Sequence, residues 1–191
     1  MKNQVLLLAL LMASFSSLTA QLNFKPGDIE FAAGVGVLPI YAKDGATSEI
    51  LPLNARVQLR LSSHFSLGAY ASYASYQTND RLLPDGTRQN LSNETLALGL
   101  RGTVHRPIAE KWDLYGGILL GYEMPDVQET IDGLPKSVSS EGKPSFTRPA
   151  TNQLVYGAFM GASYYPRKHF GVFGELGSGI SIVNVGLSMR L

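Results

Sequence analysis

The chain has no cysteine, which excludes disulfide frameworks, thiolate zinc sites, redox pairs and thiol nucleophiles. It is short of charge as well, with 16% Asp, Glu, Lys and Arg against about 25% in an average soluble protein. A surface facing only water would need more. The 16 basic and 15 acidic side chains balance, so there is no basic excess to hold a nucleic-acid backbone, and no nucleic-acid partner is expected. No stretch of 18 apolar residues follows the N-terminal segment, so no helical membrane span is expected. Histidine is scarce, limited to His64, His105 and His169. A length of 191 residues suits one domain.

What is present begins with residues 1–20, MKNQVLLLALLMASFSSLTA. One Lys, an apolar run and a tail of small residues ending in Ala20 have the build of a secretory signal peptide. The apolar run is too short to span a bilayer, and no amphipathic period marks it as a core helix. Cleavage after Ala20 leaves residues 21–191 as a single domain.

That domain alternates with period two. Leu53, Ala55, Val57, Leu59 and Leu61 interleave with Asn54, Arg56, Gln58 and Arg60, which puts the apolar side chains on one face of a strand and the polar ones on the other. The same parity runs through 29–37, 65–76, 95–105, 112–123, 154–165, 170–177 and 182–191, for eight strands in all. Short links at 62–64, 106–111, 166–169 and 178–181 contrast with long ones at 38–52, 77–94 and 124–153. Short turns at one end and mostly longer loops at the other are the layout of an up-and-down barrel.

Two barrels share this alternation and differ in which face looks outward. A soluble, lipocalin-like carrier of an apolar ligand would turn the polar face to water. Here that face holds Glu30, Arg56, Arg60, Arg101, Asp113, Glu175 and Arg190 among Gly, Ala and Ser, with little Lys, which makes a poor water-facing surface. The opposite face is uncharged and is read as facing lipid. Phe31, Phe65, Trp112 and Phe170 stand near the first position of odd-numbered strands and Tyr164 closes the sixth, forming a row at the short-turn end. Tyr73, Tyr122 and Tyr156 lie on the same face toward the long loops. Two aromatic girdles around an apolar band are what membrane–water interfaces select.

The strand parity, the aromatic rows and the closing segment 177–191, GSGISIVNVGLSMRL, resemble the outer-membrane β-barrel protein family, in particular the eight-stranded OmpA/OmpX-like barrels of Gram-negative bacteria. The resemblance implies an all-β fold, an eight-stranded antiparallel up-and-down transmembrane β-barrel with short periplasmic turns and longer extracellular loops. It also implies outer-membrane lipid as the surrounding partner.

An eight-stranded barrel is only wide enough for side chains to fill it, so conduction is not expected. Its interior charges must pair, because an isolated buried ion costs several kcal/mol. Glu30, Arg56, Arg60, Arg101, Asp113, Glu175 and Arg190 are therefore expected to form a polar plug. Hairpins that keep the apolar sets on one face set Glu30 opposite Arg60 and, with Asp85-Gly86 as a tip, Tyr70 opposite Arg101. Gly117 with Gly121 and Gly157 with Gly161 fall on the inner face, where missing side chains make room for neighbouring Arg or Tyr.

Catalysis needs a nucleophile, a base and an orienting group within reach. The three histidines fall at short turns, on the periplasmic side, whereas lipid-modifying barrel enzymes generally work toward the outer leaflet. No catalytic, cofactor or metal site is assigned, and Asp126, Glu129 and Asp132 read as solvated loop acids rather than calcium ligands. Asn90-Leu91-Ser92 and Asn93-Glu94-Thr95 match a glycosylation pattern that matters only in a eukaryotic secretory route. Asp44-Gly45, Asp85-Gly86 and Asp132-Gly133 place a hairpin-turn dipeptide in each long loop. Loops 38–52, 77–94 and 124–153 are thus expected to protrude as hairpins, able to bind an extracellular or envelope protein by strand addition.

Overall fold

The computed structural model describes residues 25–78, 81–82, 88–131, 134–136, 151–177 and 179–191. The signal segment 1–20 and the dipeptides Asp85-Gly86 and Asp132-Gly133 lie outside the described residues. Eight long strands are formed: β1 (Ile29–Gly36), β2 (Ala46–Arg60), β3 (Phe65–Thr78), β4 (Arg88–Ala109), β5 (Trp112–Ile131), β6 (Gln153–Tyr164), β7 (Phe170–Gly177) and β8 (Val183–Arg190). Each pairs antiparallel with its sequence neighbours, and β1 pairs with β8, so the sheet closes into an up-and-down barrel. Two short strands, Arg81–Leu82 and Leu134–Lys136, extend the sheet beside β4 and β5.

Strand parity places the side chains. In β2, Asn54, Arg56, Gln58 and Arg60 are buried inside while Leu53, Val57 and Leu59 are exposed outside. Ile118, Leu187 and Leu100 are at least 60% exposed, a degree of apolar exposure that water-soluble folds avoid over a whole surface. On β4 the outer face is uncharged between Glu94 and Arg106, through Leu96, Leu98, Leu100, Gly102 and Val104. The intervening strand is about 36 Å long, and at a tilt of about 40° it rises about 28 Å, close to the height of a bilayer's apolar band.

The register departs from the expected one by two residues in both hairpins. Glu30 stands opposite Gln58, not Arg60, and Tyr70 opposite Gly99, not Arg101. Contacts at the strand ends continue this alignment. Arg60 N–H bonds Asp28 O at 2.9 Å and Gly27 N–H bonds Arg60 O at 2.8 Å, while His105 N–H bonds His64 O at 2.8 Å. Arg101 instead faces Gly68, whose missing side chain also leaves space for the Gln58 side chain.

Strand lengths are uneven. β4 and β5 run 22 and 20 residues, whereas β1, β7 and β8 have 8 each. Much of what reads as loop in 77–94 and 124–153 is therefore strand, because the β4–β5 ladder continues to Gln89 opposite Ile131. Within 38–52, a 3-10 helix (Ile40–Asp44) precedes β2, and Gly45, at φ +71°, ends that helix rather than forming a hairpin tip. β6 pairs with β5 along its whole length, from Gln153 to Tyr164, and among the described residues with β7 from Phe159 to Tyr164.

Candidate functional site

Glu30, Arg56, Arg60, Arg101, Asp113, Glu175 and Arg190 all face the lumen, none more than 9% exposed. Glu175 on β7 is the hub. Arg101 on β4 donates a fork to it, at 3.0 Å to Oε1 and 2.8 Å to Oε2, and Arg56 on β2 reaches Oε2 at 3.3 Å. The Tyr115 hydroxyl donates to the same oxygen at 3.2 Å. Four strands, β2, β4, β5 and β7, are thus tied across the lumen. The forked geometry matches guanidinium to carboxylate and gives the strongest class of charge-assisted bond.

Aromatic rings complete the packing. The Arg101 guanidinium lies 3.6 Å over the Phe159 ring and that of Arg56 lies 4.0 Å over Phe173. Their Nε atoms are buried without a hydrogen-bond acceptor, and the negative ring faces stand in for one. Glycines make the rings fit. A Cβ at Gly161 would meet the Tyr115 ring at 2.6 Å, and one at Gly117 would meet Phe159 at 2.8 Å. The room at these two positions is taken by Tyr115 and Phe159, not by arginine.

Toward the short-turn end, Arg56 lies 3.6 Å from Glu30, which accepts a 2.8 Å bond from Tyr165 OH, and the Arg190 guanidinium stacks 3.9 Å over that tyrosine's ring. Arg60 lies 3.6 Å from Asp113. Glu30 is thus ion-paired with Arg56, and Arg60 with Asp113, although Arg56 and Arg60 are both two residues from the position facing Glu30.

His105 corrects a second expectation. It lies within β4, 3% exposed, not on a turn, because β4 continues to Ala109 and position 105 keeps the inward parity. Its Nδ1 donates to Asp113 Oδ2 at 2.8 Å and its Nε2 meets Ser66 Oγ at 2.7 Å. His64 and His169 do sit in turns, the latter donating through Nδ1 to Arg190 O at 2.9 Å. Ser66, His105 and Asp113 have the connectivity of an acyl-transfer triad. The adjoining cavity is only about 10 Å³, room for about one water. Positions 66, 105 and 113 all carry inward parity, the one signal that could have found the trio, but parity does not show that three strands meet at one level.

Above the ion pairs lies a different environment. A cavity of about 460 Å³ is floored by Tyr70 and Leu119, walled by Ala97 and Val155, and roofed by Ile40 and Ile180. Higher still, Tyr41 stacks on Tyr76 with ring centroids 4.0 Å apart, and Ile180, 5% exposed, packs into the same cluster. Burial pushes the Tyr41 phenol above its usual pKa, only partly offset by its 2.9 Å hydrogen bond to Ser48.

On the outer face, Phe31, Phe65, Trp112 and Phe170 are exposed at the short-turn end, and Trp112 packs on Tyr164 with centroids 4.9 Å apart. Toward the long loops Tyr122 is exposed and Tyr73 is half-buried and donates to Glu94 at 3.1 Å, while the exposed Tyr156 pairs with Leu120, itself opposite Leu100, midway along the uncharged stretch of β4.

No family model matches the chain, and no curated protein matches it. Solved structures do. The outer membrane protein OprG from Pseudomonas aeruginosa aligns over 88% of this chain and 97% of its own, at 12% identity and a TM-score of 0.59. Ail, the attachment invasion locus protein of Yersinia pestis, solved with the heparin analogue sucrose octasulfate, aligns over 87% of this chain and 96% of its own, at 13% identity and a TM-score of 0.50. What this likeness shows is the fold: the chain is a closed, eight-stranded, antiparallel up-and-down barrel of the architecture that these two outer-membrane proteins share.

Proposed function

We propose that the protein is a non-conducting integral outer-membrane barrel of a Gram-negative bacterium, exported by a signal peptide at residues 1–20, with its interaction surface on the extracellular side. Its lipid contact is the uncharged band between the two aromatic rows, which act as interfacial girdles. The observation that carries the reading is the Arg101–Glu175–Arg56 bridge, which joins β4, β7 and β2 through the middle of the lumen. With Phe159, Phe173 and Tyr115 packed around it, this bridge acts as a plug, and its buried charges are held by partners that a passing ion would have to displace. No catalytic step is assigned, since the cavity beside Ser66 has room for only about one water.

A binding role for the extracellular side is supported by the uneven rim. Residues 88–94 of β4 run about 23 Å along the strand beyond the uncharged band, backed by β3 and β5. Segments 38–52, 77–94 and 124–153 together present this surface to an extracellular or envelope protein.

Each part has its own test. Pure protein in a planar bilayer is expected to show no stable open steps, and a persistent conductance overturns the plug. On intact cells, a variant lacking residues 79–93 and 124–152, bridged by short Gly-Ser turns, loses the cross-linked adducts that the full chain forms. Identical adducts from both proteins overturn the role of the rim.

A further inference from the structure

Glu123 is an inward-facing acid that the plug does not use. Ser72 stands opposite Ala97, Ala97 opposite Glu123 and Glu123 opposite Gln153, so strand parity sets these four side chains in one inward row across β3, β4, β5 and β6. Gln153 Nε2 donates to Glu123 Oε2 at 2.9 Å, which holds the carboxylate in the row, while Oε1 accepts no bond from a described residue. The other inward acids differ. Glu30, Asp113 and Glu175 each have an Arg within 3.6 Å, but no Lys, Arg or His of the described residues lies in salt-bridge range of Glu123.

The carboxylate stands where two cavities meet. Below it is the 460 Å³ cavity, within the roughly 300–1,000 Å³ range of small-molecule sites. Above it is a cavity of about 110 Å³, lined in part by Asn93, Thr95 and Gln153. The lower lining is predominantly apolar, and Glu123 is its one charged side chain among the described residues. No described Lys or Arg lines the upper cavity either. The floor adds a direction. Tyr70 lines it, and the Arg101 guanidinium, which does not line the cavity, lies 5.6 Å from the Tyr70 ring centroid. A positive group inside is therefore favoured at the upper edge, beside Glu123, and disfavoured at the floor.

We propose that the cavity binds a small organic ammonium ion, a primary amine on a compact apolar body, with the ammonium on Glu123 and the body against Leu119 and Val155. At about 30 Å³ for each water-sized group, the volume holds roughly 15 of them, enough for a phenyl ring on a short chain. An ammonium has three donors and no acceptor. Glu123 Oε1 takes one in a charge-assisted bond, and the side-chain oxygens of Asn93, Thr95 and Gln153 in the upper cavity are acceptors for the rest. A hydroxyl head leaves the carboxylate without a counter-charge. A carboxylate head sets a second negative charge beside it. The proposal rests on the barrel fold and is independent of the role of the rim.

The test uses the full mature chain in phosphatidylcholine nanodiscs, titrated calorimetrically with phenethylamine, phenethyl alcohol and hydrocinnamate, with the heat of empty nanodiscs subtracted. Altered migration on an unheated gel reports the folding of each protein. A single saturable site is expected for the amine, with the alcohol and the carboxylate bound at least about tenfold more weakly, a comparison that needs no variant. Glu123→Gln lowers the affinity for the amine by about tenfold and leaves that for the alcohol unchanged. Ala97→Trp, which fills the space below the carboxylate, removes binding of both. Equal affinity for amine and alcohol, or no saturable amine binding by the folded wild type, overturns the proposal. So does a folded Glu123→Gln or Ala97→Trp variant that binds the amine as tightly as wild type.

Discussion

Glu175→Gln is the sharpest perturbation of the interior. The carboxylate takes both arms of the Arg101 fork, a third bond from Arg56 and a fourth from Tyr115, at side-chain exposures of 7% or less on both sides of each ion pair. Removing its charge leaves Arg101 buried with no other carboxylate of the described residues in salt-bridge range, while Arg56 keeps Glu30 at 3.6 Å. Breaking a buried pair from one side costs about 3–5 kcal/mol, and the ring faces of Phe159 and Phe173 do not replace the lost charge. Urea unfolding of the barrel in micelles reads this as a lower midpoint at unchanged slope. The companion variant, Glu175→Leu with Arg101→Met, replaces both charges by apolar groups of similar volume. It is expected to recover most of the loss, because desolvation of the two ions is then no longer required. A double variant as unstable as the single one, or a single variant costing less than about 1 kcal/mol, refutes the account of the interior as a set of mutually dependent buried charges.

Two further outcomes follow from the geometry. A fluorophosphonate probe leaves Ser66 unlabelled in the folded barrel despite the 2.7 Å contact with His105, because the space beside the hydroxyl admits only about one water; covalent labelling at Ser66 would show a working nucleophile. Gly161→Ala drives a Cβ to 2.6 Å from the Tyr115 ring and is expected to cost about 1–3 kcal/mol. Gly174→Ala, with nothing within 4 Å of the new carbon, stays within about 0.5 kcal/mol in the same urea titration.

Strand parity was legible throughout the sequence, since an apolar–polar alternation reports faces whatever the neighbouring strand does. That is why Arg56, Arg101 and Glu175 were readable as one inward-facing set, and Leu98, Leu100 and Ile118 as an outward one. The partners within the set were not readable. A slip of two residues leaves every side chain on its own face, so Glu30 opposite Arg60 and Glu30 opposite Gln58 satisfy the same pattern. The backbone ladder separates the two, running from Ile29 opposite Leu59 to Val35 opposite Leu53 and extended by Arg60 N–H to Asp28 O.

The sequence by itself determined the strand number, the faces and the scarcity of charge on the outside, because these depend on local periodicity. Tertiary structure decided which inward groups meet. Ser66, His105 and Asp113 come from three strands, and whether they touch depends on the stagger of those strands around the barrel.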